Sequence, residues 1–245
     1  MSNNEATGGK AVYGASIGIL MLEARFPRIV GDMGNAQTWP FPVHYKVVKG
    51  ASPDLVVRRR AEGLVEAFKA AAVDLVETGV DGITTNCGFL LLFQEEIAEA
   101  CHVPVATSSL MQYRLIDDLL PENRKVGILT VSAKTLSEDH LRAAGIPPDA
   151  PIVGTDEAGS ELSRVILNDE SKLNVAAAER DMILAAEALL ALDPGIGAIL
   201  LECTNMGPYT AAVRAATGLP VFDMYSFVCW FQSSLSPRVF AATSM

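Results

Sequence analysis

The residues of this chain best suited to proton-transfer or covalent chemistry are two cysteines. Cys87 stands in "GITTNCGF" and Cys203 in "AILLECTNM", each ending a short apolar run and each just ahead of a segment with helical spacing. Each also precedes a proline by the same interval of 17 positions, Pro104 in "HVPVA" and Pro220 in "GLPVF". A single free cysteine is usually a small core hydrophobe. A matched pair asks for another explanation, because ligands collect at the carboxyl ends of parallel strands. A helix N-terminus at such a strand end offers free N–H groups that stabilise a thiolate or hold a carboxylate. An ordinary thiol is only about 3% ionised at pH 7. Two thiols on opposite sides of one carbon can therefore divide the work, one thiolate removing a proton and the other thiol delivering one to the far face, and they titrate as a pair.

Positioning two such cysteines requires two similar scaffolds. Short Val- and Ile-rich runs alternate with longer segments of helical periodicity, the pattern of parallel sheets covered by helices. Strands are expected at residues 16–21, 43–48, 82–86, 103–107, 125–130, 151–153, 198–202 and 221–223. Helices are expected at about 54–78, 90–100, 110–120, 134–144, 174–192, 209–217 and 225–234, with "GIPPDAPIVGTDEAGS" a loop holding one short strand. Each half opens with a Gly-Ile-Leu strand, "SIGILML" and "KVGILTV", and presents its cysteine later. The expected fold is α/β: two pseudo-twofold related lobes, each a mostly parallel sheet flanked by helices, with the active site in the cleft between them. The first lobe takes residues 12–110 plus part of 225–245, and the second takes 111–224.

The duplicated layout, with Cys87 in "TTNCGF" and Cys203 in "LLECTNM", resembles the aspartate/glutamate racemase superfamily, which includes amino-acid and hydantoin racemases, maleate isomerase and arylmalonate decarboxylase. The resemblance covers nearly the whole chain in layout, through short motifs. It implies Cys87 and Cys203 as acid and base in a cofactor-independent racemase or epimerase of a small carboxylate such as aspartate, glutamate or a hydantoin. It also implies Thr204 as a carboxylate contact, and a homodimer. Asn86, Gly88, Phe89 and Asn205 flank the cysteines as further substrate contacts, and Ser132 and Thr135, after "KVGILTV", are candidates from the second lobe. Two departures stand out. Amino-acid racemases commonly show Cys-Asn-Thr at the first motif where this chain has Cys87-Gly88-Phe89, and glutamate racemases place Asp-Ser at the first strand where this chain has Met21-Leu22. The alternatives are a maleate-isomerase-like enzyme with one cysteine as nucleophile, or a noncatalytic binder of an acidic metabolite.

The rest of the chain narrows the function by exclusion. In 245 residues there are 19 basic and 29 acidic side chains, a formal net charge of -10, which opposes binding to nucleic acid or to an acidic membrane surface. No apolar run approaches the roughly 20 residues of a membrane span and no leader pattern opens the chain, so a cytoplasmic protein is expected. The cysteines lack Cys-x-x-Cys spacing and the histidines His44, His102 and His140 are dispersed, so no metal site is expected, and no cofactor. Cys101 and Cys229 read as helix packing, and none of the histidines receives a role. The segment "RFPRIVGDMGNAQTWPFP" reads as a lid or rim, with Arg25 and Arg28 as candidate carboxylate anchors. Glu202 is the awkward residue, since a carboxylate beside a working thiol opposes thiolate formation. Alternation along a strand would turn it away from Cys203.

Overall fold

The computed structural model describes residues 6–158 and 161–240. Two four-stranded sheets, every neighbouring pair parallel, form the two halves. The first sheet has the order β2-β1-β3-β4, with β1 (Ile17–Leu22), β2 (Val43–Val48), β3 (Gly82–Thr85) and β4 (Val105–Ala106). The second repeats it as β6-β5-β7-β8, with β5 (Lys125–Thr130), β6 (Ile152–Gly154), β7 (Ile196–Leu201) and β8 (Val221–Phe222). In each sheet the third strand, β3 or β7, leads into a cysteine.

The Gly-Ile-Leu repeat has a packing cause. β1 and β5 are central strands, buried along almost their whole length, and a helix must lie flat across each. Helix α1 (Val65–Thr78) crosses Gly18, where an added Cβ would stand 3.0 Å from the Leu75 side chain. In the second half Leu189 of the long helix on that sheet takes the same place, 2.8 Å from a Cβ on Gly127. A glycine on the helix-facing side of the strand lets a leucine knob close the core, and each such buried leucine is worth roughly 1.5–3 kcal/mol.

The helices are α1, α2 (Gln94–Cys101), α3 (Tyr113–Leu119), α4 (Glu138–Ala144), α5 (Thr155–Ala158), α6 (Glu161–Leu167), α7 (Val175–Leu192), α8 (Thr210–Thr217) and α9 (Met224–Leu235). Most lie where periodicity places them, and the departures are local. The helix expected over 54–78 is broken: a π-helical turn at Asp54–Arg58 gives way to Arg60 and Ala61 at φ 55° and 54° before α1 begins. Arg59 and Arg58 pair with Asp54 and close that turn on itself, and Gly63 at φ 75° supplies the second reversal. The helix expected from residue 134 starts only at Glu138, where Ser137 and His140 form a reciprocal cap. The segment expected as loop carries α5, and α6, for which no element was expected, buries its apolar side through Leu162, Val165 and Ile166. Helix α9 returns to the first sheet, where Met224, Phe227, Val228 and Phe231 cluster with Ile17, Ile19 and Met21.

No α-helix follows either cysteine directly. Single 3-10 turns intervene, Gly88–Phe93 ahead of α2 and Gly207–Tyr209 ahead of α8. The N–H groups near Cys87 are therefore those of a tight turn.

Candidate active site

Cys87 and Cys203 line one cavity. Its walls bring together Asn86, Cys87, Gly88 and Phe89 from the first half with Glu202, Cys203 and Asn205 from the second. The apolar remainder comes from Leu22, Phe26, Pro53, Val57, Val131 and Ile166, around a cavity of about 10 Å³, room for one water molecule. Pro53 and Val57 reach it from the π-helical turn that precedes α1. Both cysteines are 8% exposed and Glu202 is wholly buried.

Each cysteine is set by hydrogen bonds from its own strand end. The Thr85 hydroxyl donates to the Cys87 carbonyl at 3.0 Å and receives the Cys87 N–H at 3.3 Å. Asn86 is fixed by its amide oxygen, which accepts from Leu22 N at 2.7 Å, and its Nδ2 is left buried without a partner. The Cys203 thiol donates to Asn205 Oδ1 at 3.5 Å, and Asn205 Nδ2 donates to Asp32 Oδ2 at 2.5 Å. Asp32 Oδ1 meets Arg28 Nη1 at 2.9 Å, and the guanidinium lies over Phe26 with its carbon 4.4 Å from the ring centre. The other terminal nitrogen of Arg28, Nη2, is buried and unpartnered.

The segment expected as a lid is thus a folded strap that delivers Arg28 and Asp32. Gly31, at φ 102°, lies against Pro208, where a Cβ would come within 2.8 Å of the Pro208 Cα. The Gly207-Pro208 step after Cys203 is the seat of that strap.

Glu202 is not turned away. β7 ends at Leu201, so strand alternation no longer governs the next residue. The Glu202 carboxyl takes a hydrogen bond from the Thr130 hydroxyl at 2.7 Å through Oε2, while Oε1 is buried without a partner and packs on Gly88. Any Cβ on Gly88 would collide with that carboxyl and stand 2.6 Å from the Glu202 carbonyl oxygen. The glycine that replaces the usual racemase asparagine leaves room for Glu202.

The electrostatics make the two thiols unequal. Burial pushes Cys87 up to about 12, helped by Glu202, while the Phe89 N–H, the Arg28 charge and the Leu90 N–H pull it back. Burial pushes Cys203 well above its ordinary value, again helped by Glu202; the Asn205 N–H opposes, and Cys87 and Asp32 add to the rise. Burial raises Glu202 to about 7 against the Thr130 hydrogen bond. Cys87 is the thiol with a cation beside it, and Cys203 the one between two carboxylates.

Of the remaining expected site residues, Thr204 stands behind the wall, its hydroxyl donating to the Asn86 carbonyl and so tying the two motifs together. Ser132 and Thr135 do not reach the cavity. Thr135 donates to the Ser132 carbonyl at 3.1 Å, and Ser132 faces a separate hollow beside Arg58, Asp156 and Ser163, because Val131 is the residue of that strand end that points inward. Arg25 is 87% exposed and pairs with Asp169. Among the described residues no group of histidine, cysteine or acidic side chains is placed to hold a metal ion, and no helix is long and apolar enough to cross a membrane.

Sequence reasoning passed over Asp32, whose one signal was an acidic residue enclosed by Gly31 and Gly34, and over His140. The His140 ring is fully buried, accepts from Ser137 N at 3.2 Å through Nδ1, and lies 3.2 Å from the Phe89 carbonyl through Nε2. It braces the turn that follows Cys87. Burial first, then the Arg60 charge, holds His140 down to about 4 against the Phe89 carbonyl and Asp139. The unfolded chain takes up this proton near pH 6.5 and the folded chain only near 4. The fold should lose roughly 3 kcal/mol as pH falls across that window. A His140→Gln variant, which cannot take up that proton, should show a flatter stability curve between pH 6.5 and 4 in denaturant titrations. An unchanged slope would remove His140 as the source.

Known proteins are similar to this chain in sequence and in fold. The Asp/Glu/Hydantoin racemase family model matches residues 58–231. A dimethylsulfoniopropionate lyase of Durusdinium sp. clade D is 28% identical over 85% of this chain and 71% of its own length. Dimethylsulfoniopropionate lyase 3 of Emiliania huxleyi (strain CCMP1516) is 32% identical over 85% of this chain, which spans 56% of that protein. Among solved structures, a mutant of arylmalonate decarboxylase with sulfate bound superposes with a TM-score of 0.60 at 16% identity, covering 93% of this chain and 96% of its own. Picrophilus torridus aspartate racemase gives 0.56 at 15% identity, covering 92% and 96%. The family match over most of the chain, on a fold with one cysteine at the end of each third strand, places this protein in the Asp/Glu/hydantoin racemase family.

Proposed function

We propose that the protein is a lyase that removes the proton next to the carboxylate of a small substrate and expels a cationic leaving group from the neighbouring carbon, with dimethylsulfoniopropionate as the first substrate to test. The observation that carries this reading is the charge of the cavity. Among the described residues its wall contains Glu202 and no lysine or arginine, and Arg28, the cation that acts on Cys87, is already paired with Asp32. One carboxylate can be met by the free donor Asn86 Nδ2, which belongs to the cavity wall. A second carboxylate, as in aspartate or glutamate, would enter beside Glu202 with no cation left to receive it. A sulfonium group brings the opposite charge and would ease ionisation of a buried thiol.

In this reading Cys87 is the base. Its sulfur takes the proton from the α-carbon, the α–β double bond forms, and the electrons of the β-carbon–sulfur bond leave with neutral dimethyl sulfide, giving acrylate. Asn86 holds the carboxylate on which the carbanion charge develops, and the Arg28 charge favours the Cys87 thiolate. Cys203, a neutral thiol held by Asn205, shapes the opposite wall. The lyases among the relatives support elimination as the outcome.

A second reading is racemisation or epimerisation of an amino acid or hydantoin, with the thiols exchanging roles. The supply of one cysteine by each half favours it. Proton NMR in deuterium oxide separates the two. Elimination yields acrylate and dimethyl sulfide from dimethylsulfoniopropionate and leaves aspartate, glutamate and hydantoins unlabelled. Deuterium entering the α-position of one of those compounds, with no alkene formed, would overturn the lyase in favour of the racemase.

A further inference from the structure

Glu202 has no part in the reaction as drawn, yet it is the best-enclosed titratable group at the site. It is 0% exposed, sits next to Cys203 in the chain, and lies over Gly88, the residue after Cys87. It shares the cavity wall with both thiols, and its unpartnered oxygen lies buried against Gly88 beside Cys87. A buried carboxyl with an open oxygen is costly to keep, and an alanine at residue 88 would leave it no room. The site has instead been built around it.

We propose that Glu202, Cys87 and Cys203 form one proton-sharing cluster that carries a single negative charge, with the Glu202 carboxylate as the resting seat of that charge and the acceptor of the Cys87 thiol proton. Glu202 therefore acts through the thiol and does not touch substrate.

The proton balance is simple. At rest the cluster holds a carboxylate and two thiols. When substrate is bound, the Cys87 proton moves to Glu202, leaving a thiolate and a carboxylic acid. The thiolate takes the α-proton and is a thiol again, and the proton on Glu202 is released to solvent as products leave. Elimination from a sulfonium carboxylate releases one proton overall, because neutral dimethyl sulfide cannot carry it away, and Glu202 is its way out. This last step rests on the lyase reading; the shared charge does not.

The other groups around the cluster leave that role to Glu202. Thr130, from β5, donates one hydrogen bond to it. His140, from α4, stands behind Phe89 with its ring held neutral above about pH 4. Arg28 and Asp32, from the strap, pair with each other, and Asn205 bridges Asp32 to Cys203. Burial holds Glu202 near 7 and both thiols far higher, the order required for the charge to rest on the carboxylate.

The shape of the pH profile tests this in the whole protein. If the thiolate forms by transfer to Glu202, kcat/KM for dimethylsulfoniopropionate should rise to a plateau above about pH 7, because further base removes no further proton from the reacting cluster. In Glu202→Gln the thiol must ionise by itself, so log kcat/KM should climb about tenfold per pH unit from pH 7 to 9 without a plateau. Glu202→Asp should restore one. A structural role for Glu202 would scale the whole curve and keep its shape, and that result would overturn the proposal. Ultraviolet titration of the thiolate in the substrate-free proteins is independent of the reaction. Thiolate absorbance should appear at lower pH in Glu202→Gln than in the parent. An identical titration would overturn the shared charge whatever the substrate, whereas shifted thiolate absorbance without turnover would sink only the lyase reading.

Discussion

Cys87→Ser should lower kcat/KM by roughly 10²–10⁴, the usual contribution of a positioned general base, while Cys203→Ser should cost about tenfold or less. The hydroxyl of serine keeps the volume and loses the acidity, so the difference between the variants reads the difference in role. Cys87 has the Phe89 and Leu90 N–H groups and the Arg28 charge to stabilise its anion. Cys203 has its proton committed to Asn205 and lies near Glu202 and Asp32. The measurement is kcat/KM for release of dimethyl sulfide from dimethylsulfoniopropionate at a fixed pH near 8. Equal losses in both variants would contradict a one-base mechanism and support alternating thiols.

Glu202→Gln should make the protein more stable at pH 8, by on the order of 3 kcal/mol. A carboxyl that ionises near 4.5 in the unfolded chain and near 7 in the folded one costs stability progressively as pH rises between those values, and the full cost persists above pH 7. The Gln amide keeps the Thr130 hydrogen bond and carries no charge. For a chain of 245 residues this corresponds to a gain in Tm of roughly 6–12 °C at pH 8, shrinking to nothing near pH 4, where Glu202 is protonated in both states. Calorimetry across pH 4 to 8 checks it. A gain that does not depend on pH, or a loss at pH 8, would mean that Glu202 is not a buried charge. Stability gained together with an altered pH profile for turnover is the signature of a strained group kept for function.

The parts of the site legible from sequence were those that repeat. Cys87 and Cys203 declare themselves because each ends the third strand of a duplicated unit, and the mostly parallel sheets and the Gly18 and Gly127 positions are legible from the same duplication, whereas the strand order came from the structure. Asn86, Gly88, Phe89 and Asn205 line the cavity because they are chain neighbours of the cysteines. Nearness in the chain also misled: Thr204 turned its hydroxyl to the other half, and Ser132 and Thr135 followed their strand end outward while Val131 turned in. The broken helix before α1 was hidden because residues 54–78 keep an apolar period that says nothing about the left-handed pair Arg60 and Ala61.

What the sequence determined by itself was the two-lobed α/β fold and the pairing of two thiols at matched strand ends, since hydrophobic periodicity and duplication are properties of the chain read locally. Only the tertiary structure brings a cation near Cys87 and the Glu202 carboxyl to both thiols. That outcome depends on Arg28 and Asp32 arriving on a strap 55 to 59 residues before Cys87, on Thr130 from a neighbouring strand, and on Gly88 leaving room for Glu202. Electrostatic energies in a buried cavity are set by distances through space, and no spacing along the chain encodes them.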